Sequence, residues 1–255
     1  RPPGGSGYHK QSRKLTIPLV VFLVIYFLGR PIEAQYGGGT GEPNDPYQIA
    51  TAEDLIALGE RPEDYDKHFI MTADIDLDPN LPGGRPFTCA LIAPYAGSPE
   101  YGGTPFVGSF DGNEHCIKNL TILDGAGRHL GLFGVIGSGG VVRYLRIENV
   151  TVTGGQVSRH IGGLAGINLG RIENCCCTGL VSGERDPGDL MQRPAQLRTR
   201  LGNPEFVGGL VGDNQKAVQN CYAVGNVVGG WRCVSAGGLV AMNGGNVANC
   251  YANGE

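Results

Sequence analysis

A Gly-Leu pair recurs at residues 131, 163, 209 and 238, at intervals of 32, 46 and 29 residues. Each pair opens a similar segment: "GLFGVIGSGGVVRYLRIENVTVTGG", "GGLAGINLGRIENCCCTGLVSG", "GGLVGDNQKAVQNCYAVGNVVGG" and "GGLVAMNGGNVANCYANGE". A weaker copy, "VGSFDGNEHCIKNLTILDG", starts at Val107. A repeat of 20 to 50 residues means that one supersecondary unit is stacked on the next. The apolar residues alternate with period two between glycine-rich turns, which makes each unit a rung of β-strands. The chain is therefore expected to be all-β, a parallel β-helix or β-solenoid with glycine-rich rungs. Its 44 glycines in 255 residues are more than twice the usual share of about 7%. With 41% hydrophobic residues and no G-X-Y period, neither collagen nor a disordered linker fits.

Aligning the copies defines columns. Ile117, Val142, Ile172, Val218 and Val247 share one. Asn119, Tyr144, Asn174, Asn220 and Asn249 follow two places on, then Leu120, Leu145, Cys175, Cys221 and Cys250, then Ile122, Ile147, Cys177, Ala223 and Ala252. Side chains alternate faces along a strand, so the last two columns share the interior face. Cys175 and Cys177 then read as small core residues, whereas Cys176, in a column with Thr121, Arg146, Tyr222 and Tyr251, points outward. Three consecutive cysteines on alternating faces cannot close around one metal ion, and no C-x-x-C pair or clustered histidine supplies further ligands. Disulfides stay open: stacked rungs lie about 4.8 Å apart, within the usual Cα span of a disulfide, and Cys89, Cys116 and Cys233 fall outside the core columns. The asparagine column reads as a ladder of turns.

The front of the chain carries a different signal. Lys10, Arg13 and Lys14 precede the uncharged apolar run "LTIPLVVFLVIYFLG", followed by Arg30, Pro31 and Ala34. This pattern predicts a secretory signal peptide over residues 1–34, cleaved after Ala34; an uncleaved N-terminal anchor is the alternative. Five of the 20 basic and one of the 24 acidic residues lie in this stretch, leaving 15 against 23 and a net charge of −8. Such a balance argues against nucleic acid or an anionic membrane surface as a partner, beyond the signal peptide or anchor itself.

The "GGL[AV]G" turns followed by "NC[CY]" resemble the GLUG-repeat proteins, most closely at Gly163-Leu164-Ala165-Gly166 and Gly209-Leu210-Val211-Gly212. Gly238-Leu239-Val240 departs, with Ala241 fourth. The stretches "DPYQIATAEDLIAL", "HFIMTADIDL" and "FVGSFDGNEHCIKNLTI" are similar to the lead-in of such repeats, so the resemblance spans roughly residues 40 to 255. It implies a secreted bacterial β-solenoid found in adhesin-like surface proteins and as a non-catalytic module of some secreted metallopeptidases. The peptidase motif H-E-x-x-H is absent, so no catalytic residue carries over.

Residues 35–104 are expected to cap the first rung. "TAEDLIALG" predicts a short helix with Thr51 as N-cap and Asp54 closing a capping box, its Leu55, Ile56 and Leu58 lying on the stack. "KHFIMTADIDL" predicts a strand entering it. Residues 105–255 form the repeats, and the sequence stops inside one, which predicts that the natural chain continues.

Other chemistry was weighed along the chain. Asp74, Asp76, Asp78 and Asn80 resemble a calcium loop, but Pro79 and Arg85 stand where that loop needs Gly and Glu, leaving acids on the outer face of a strand. A carbohydrate-active β-helix needs acids aligned on neighbouring rungs, and the columns offer none. His129 and His160 precede turns that differ by one residue ("HLGL", "HIGGL") and are expected at the surface. Asp111-Gly112-Asn113 predicts a turn, and Asn119 and Asn149 match glycosylation sequons by pattern alone. The long interval is due to an insertion at residues 184–205, which carries Arg185, Arg193, Arg198 and Arg200 balanced by Glu184, Asp186, Asp189 and Glu205. Insertions in repeat proteins map to loops on one face, often the binding face. Trp231 and Arg232, in the matching turn of the next rung, are expected at its base. These six residues, the four arginines with Trp231 and Arg232, are the candidate ligand-binding set, suited to acidic sugars or a protein partner.

The sequence thus predicts a non-catalytic, secreted or cell-surface scaffold or adhesion module of a larger bacterial protein. No catalytic residue, cofactor or metal is called for, and its partner is a host or matrix protein or a polysaccharide. The alternatives are a stalk module of a secreted metallopeptidase and, less favoured, a carbohydrate-active β-helix.

Overall fold

The computed structural model describes residues 36–95, 103–183 and 205–254. Short strands separated by turns wind into a coil whose sides are four parallel sheets. One complete rung runs Val141–Arg143, Arg146–Gly154, His160–Gly162 and Ala165–Asn168. The next runs Arg171–Glu173, Cys176–Ser182, Glu205–Gly208 and Val211–Asn214, and the one after it Ala217–Gln219, Tyr222–Val228, Cys233–Gly237 and Val240–Asn243. Asn246–Ala248 and Tyr251–Asn253 begin a further rung. An earlier rung starts at Ser109–Asp111, continues through Cys116–Lys118 and Thr121–Gly125, and ends with His129–Leu130 and Phe133–Ile136. The nth strands of successive rungs pair in register, so the fold is the expected all-β parallel solenoid.

The interior is a set of apolar columns. Phe110, Val142, Ile172 and Val218 stack in one, all fully buried. Ile117, Ile147, Cys177 and Ala223 stack in a second. The bulky end lies at the front, where Phe69, Phe106, Phe110 and Phe133 meet with ring centroids 5.2–6.1 Å apart. The alignment of the weakest copy is corrected here: Ile117 pairs with Ile147, not Val142, and Phe110 takes the Val142 position. The turn between Asp111 and Cys116 is two residues longer than that between Arg143 and Arg146, which hid the register. Asn119 moves with it, out of the Asn174 column and beside Asn149.

The Asn-Cys pair builds a corner. Asn174, Asn220 and Asn249 adopt φ of +53°, +53° and +54°, the left-handed conformation asparagine tolerates best among non-glycine residues. The following cysteine turns inward. The Cys221 thiol donates to the Gln219 carbonyl at 3.0 Å and accepts from the Cys175 amide at 3.4 Å. Cys250 repeats this on Ala248 (3.1 Å) and the Cys221 amide (3.3 Å). The thiol therefore satisfies backbone groups that the change of sheet direction leaves over. Burial raises the Cys175 and Cys177 thiols above their ordinary range, keeping them protonated. All eight cysteines are free.

Cys176 does lie in the Arg146, Tyr222 and Tyr251 column, but it is buried, and Cys116 joins that column rather than standing outside the repeat. Here the outward face is covered by its own neighbours: Tyr222 stacks on Tyr251 (5.1 Å, 6°) and hydrogen-bonds the Cys176 thiol. Burial pushes Cys116 up to about 11.

The front helix, Ala52–Gly59, has the capping box expected of it. Thr51 Oγ1 accepts from the Asp54 amide at 3.1 Å, and Asp54 Oδ2 accepts from the Thr51 amide at 3.0 Å. Leu55 and Leu58 are fully buried in the core and Ile56 packs partly against it. His68–Met71 and Ile75–Asp76 then enter the first and second sheets as two strands around a corner. Asp76 Oδ1 accepts from Asn119 Nδ2 at 2.7 Å, and Asn119 Oδ1 accepts from Asn149 Nδ2 at 2.6 Å. The two sequon asparagines and Asp76 thus form one outer ladder, with the amide nitrogens engaged inside it.

Candidate functional site

The base of the insertion is held by a buried ion pair. Glu205 opens the strand Glu205–Gly208 and is fully buried. Arg232 Nη2 lies 3.0 Å from Glu205 Oε1 and 2.9 Å from the Gly155 carbonyl, and Nη1 donates to the Gln156 carbonyl at 2.6 Å. One guanidinium therefore ties three successive rungs together. Its Cζ also sits 5.5 Å from the Trp231 ring centre. Arg232, expected at the base of the insertion, is turned inward: only 6% of its side chain is exposed, and its charge meets Glu205 inside the protein. A buried carboxylate at this position demands a bidentate cation more than a distant ligand does. Trp231 is half-buried beside it. Arg185, Arg193, Arg198 and Arg200 lie outside the described residues.

The third sheet carries the arrangement that the sequence pattern did not show. His129 and His160 pair in register because the rung at Gly131 has one glycine fewer in its arch than the rung at Gly162-Gly163. Gly131 thus occupies the strand position of Gly162, Gly208 and Gly237. The two imidazoles stack at 4.9 Å and 22°, Phe206 continues the column at 5.3 Å and 21°, and Tyr95 meets His129 edge-on at 4.8 Å. The surface expectation is overturned: His129 is 2% and His160 6% exposed. The fourth sheet passes close to them at Gly166 and Gly212 and brings Asp213 within 4.0 Å of His160 Nε2.

His129 Nδ1 and His160 Nδ1 are 3.0 Å apart. Two N–H groups cannot point at each other, so one ring donates, the other accepts, and the two rings cannot both be imidazolium. His160 Nε2 lies 4.0 Å from Asp213 Oδ2, near enough to feel its charge but beyond hydrogen-bond reach. Burial is the main cause that lowers His129 to about 4, with Arg128 and Arg159 adding repulsion. Burial, then His129 and the same arginines, lowers His160 to about 3. Asp213 is raised by burial, opposed by the Gln215 amide 2.7 Å away.

A second buried polar column crosses the fourth sheet. Asn168 Nδ2 donates to Asn214 Oδ1 at 2.8 Å, and Asn214 Nδ2 to Asn243 Oδ1 at 2.7 Å. Asn168 and Asn214 are fully buried. This ladder was legible: its intervals of 46 and 29 residues equal those of the Gly-Leu pairs.

Among the described residues, no three His, Cys, Asp or Glu side chains cluster so as to hold a metal ion. Asp74, in the former calcium-loop segment, accepts instead from the Cys116 amide (3.0 Å) and meets the His115 ring (3.1 Å), which lowers its carboxyl below the usual range. No helix among the described residues is long and apolar enough to cross a membrane.

No family model matches the chain. It is similar to halomucin of Haloquadratum walsbyi, 31% identical over 170 residues, covering 64% of this chain and 2% of that protein. It is also similar to a protein named as a Gly-rich membrane protein of Evansella cellulosilytica, 32% identical over 168 residues, 63% of this chain and 18% of that one. The chain thus spans under a fifth of the length of either relative. Among solved structures, an immunoglobulin A1 protease-like chain from Bacteroides ovatus aligns over 86% of this chain and 78% of its own, with a TM-score of 0.44 and 17% identity.

Proposed function

We propose that the chain is a non-catalytic scaffold or adhesion module of a larger secreted or cell-surface protein, built from GLUG-type rungs. The observation that carries this reading is where the buried polar chemistry points. Asparagines bond asparagines, corner amides bond the thiols of the next rung, and Arg232 bonds Glu205, each from rung to rung along the stack. These groups build a rigid rod; none is aimed at a cleft. The "GGL[AV]G…NC" pattern supports the family, and the likeness to segments of much longer proteins, one named as a membrane protein, supports export and surface display. A matrix protein or an acidic polysaccharide is the partner class, recognised by solvent-facing side chains of the rungs.

Incubating the full chain with polygalacturonate, dextran, collagen and fibronectin tests this. Saturable co-sedimentation with at least one of them, with no shortening of any, is expected. Depolymerisation or proteolysis of a probe contradicts the non-catalytic reading, and retention by none contradicts the adhesive one.

A further inference from the structure

We propose that the stacked His129–His160 pair is an acid-sensitive latch that weakens the solenoid as the pH falls below about 6. The geometry sets the chemistry. A 3.0 Å Nδ1···Nδ1 contact holds one proton between the rings, so protonation of both rings breaks it and sets two N–H groups against each other. The rings are sealed by Phe206 and Tyr95 on their faces and edges. Arg128 and Arg159, each the residue just before the strand that a histidine opens, bring further positive charge. Across the arch, the fourth sheet contributes Asp213, 4.0 Å from His160 Nε2, with Gln215 bound to it. One carboxylate, that of Asp213, lies near the two imidazoles while both arginines repel positive charge on them, so charging both rings is uncompensated. His129 Nε2 is buried without a hydrogen bond, and the carboxylate nearest His160 Nε2, that of Asp213, stands beyond hydrogen-bond reach.

The direction follows from linkage. Above pH 6.5 the rings are neutral in the folded and unfolded chain, and the pair costs nothing. Between 6.5 and about 4 the unfolded chain takes up protons that the native fold refuses, so stability falls with falling pH. The loss is complete only below the native values. Each histidine multiplies the unfolding constant by roughly 100 between pH 6.5 and 4. Asp213 works the other way, since its raised carboxyl takes a proton in the native state first, and it offsets part of the effect.

The test compares urea unfolding of the full chain and of the His129→Phe/His160→Phe variant at pH 7 and pH 4.5. Phe206 already occupies the column, so the stack accepts phenyl rings. The wild-type unfolding constant should rise at least tenfold more over this interval than that of the variant; parallel pH dependence of the two overturns the proposal. A readout on the unaltered chain stands beside it. The ring proton resonances of His129 and His160 should remain at their neutral positions down to pH 5, and titration of either near 6.5 contradicts the latch whether or not the variant folds.

Discussion

Replacing Gly212 with alanine should destabilise the protein by about 3 kcal/mol or more, enough to unfold much of a marginally stable population. Gly212 is the fourth residue of a Gly-Leu-x-Gly turn and lies where the fourth sheet folds back on the third. A Cβ there would sit 2.6 Å from Ile161 N, 2.8 Å from the Gly166 carbonyl oxygen and 2.9 Å from His160 C. All three are backbone atoms, which cannot swing away as a flexible side chain can. The neighbouring rung repeats the constraint at Gly166, whose Cβ would meet His129 Cβ at 2.7 Å. The comparison is Gly83→Ala: Gly83 has a left-handed backbone, φ +82°, but nothing lies within 4 Å of its would-be Cβ. Its cost should be only about 1–2 kcal/mol, from the left-handed backbone alone. Urea unfolding of both variants decides the matter. If Gly212→Ala costs no more than Gly83→Ala, close approach of the two sheets is not what the motif glycine provides.

Asn214→Leu should cost about 2–4 kcal/mol, although leucine nearly matches asparagine in size. The substitution removes the bonds from Asn168 and to Asn243 together with the 3.4 Å contact from the Lys216 amide. A net hydrogen bond contributes about 1 kcal/mol, and burying a group left without its partner costs about 1–3 kcal/mol more. Asn168 keeps its second bond, to the Ala217 carbonyl at 3.0 Å, which limits the damage. The outer ladder provides the contrast. Asn249→Gly keeps the left-handed corner and loses one exposed bond, the 3.1 Å contact with Asn220, so it should cost less than about 1 kcal/mol. Thermal unfolding of the two variants measures the difference, and equal losses would mean that the buried asparagines do not bind the rungs.

The repeat made the architecture legible because the Gly-Leu pairs and Asn-Cys corners each impose one local geometry, a close arch and a left-handed turn. Where a rung changes length, that legibility failed. Two extra residues between Asp111 and Cys116 displaced Ile117 and Asn119 from their columns, and one missing glycine beside Gly131 hid the pairing of His129 with His160. Alternation correctly placed Cys176 on the outward side, but alternation says nothing about what covers that side, and Tyr222 does. Arg232 resembled a surface cation because its partner, Glu205, is 27 residues away in sequence, on the preceding rung. Long-range charge pairing of this kind leaves no local pattern. The buried Asn168, Asn214 and Asn243 column did leave one, in intervals identical to those of the motif itself.

If the rungs are equivalent units stacked in a fixed register, the protein should accept a second copy of residues 141–170 inserted between Gly170 and Arg171. The copy would carry its own Asn149, His160, Asn168 and Gly155-Gln156 carbonyls, so every ladder and the Arg232 contact could re-form one rung further on. Stability in such stacks is a sum of unit and interface contributions, and the urea dependence of unfolding grows with the surface buried. The lengthened protein should fold to the same β-rich state, unfold at an equal or higher urea concentration and show a steeper urea dependence. An aggregated or unfolded product, or an inserted segment that digests as a loop while the parent midpoint and slope are unchanged, would contradict the stacked-rung account.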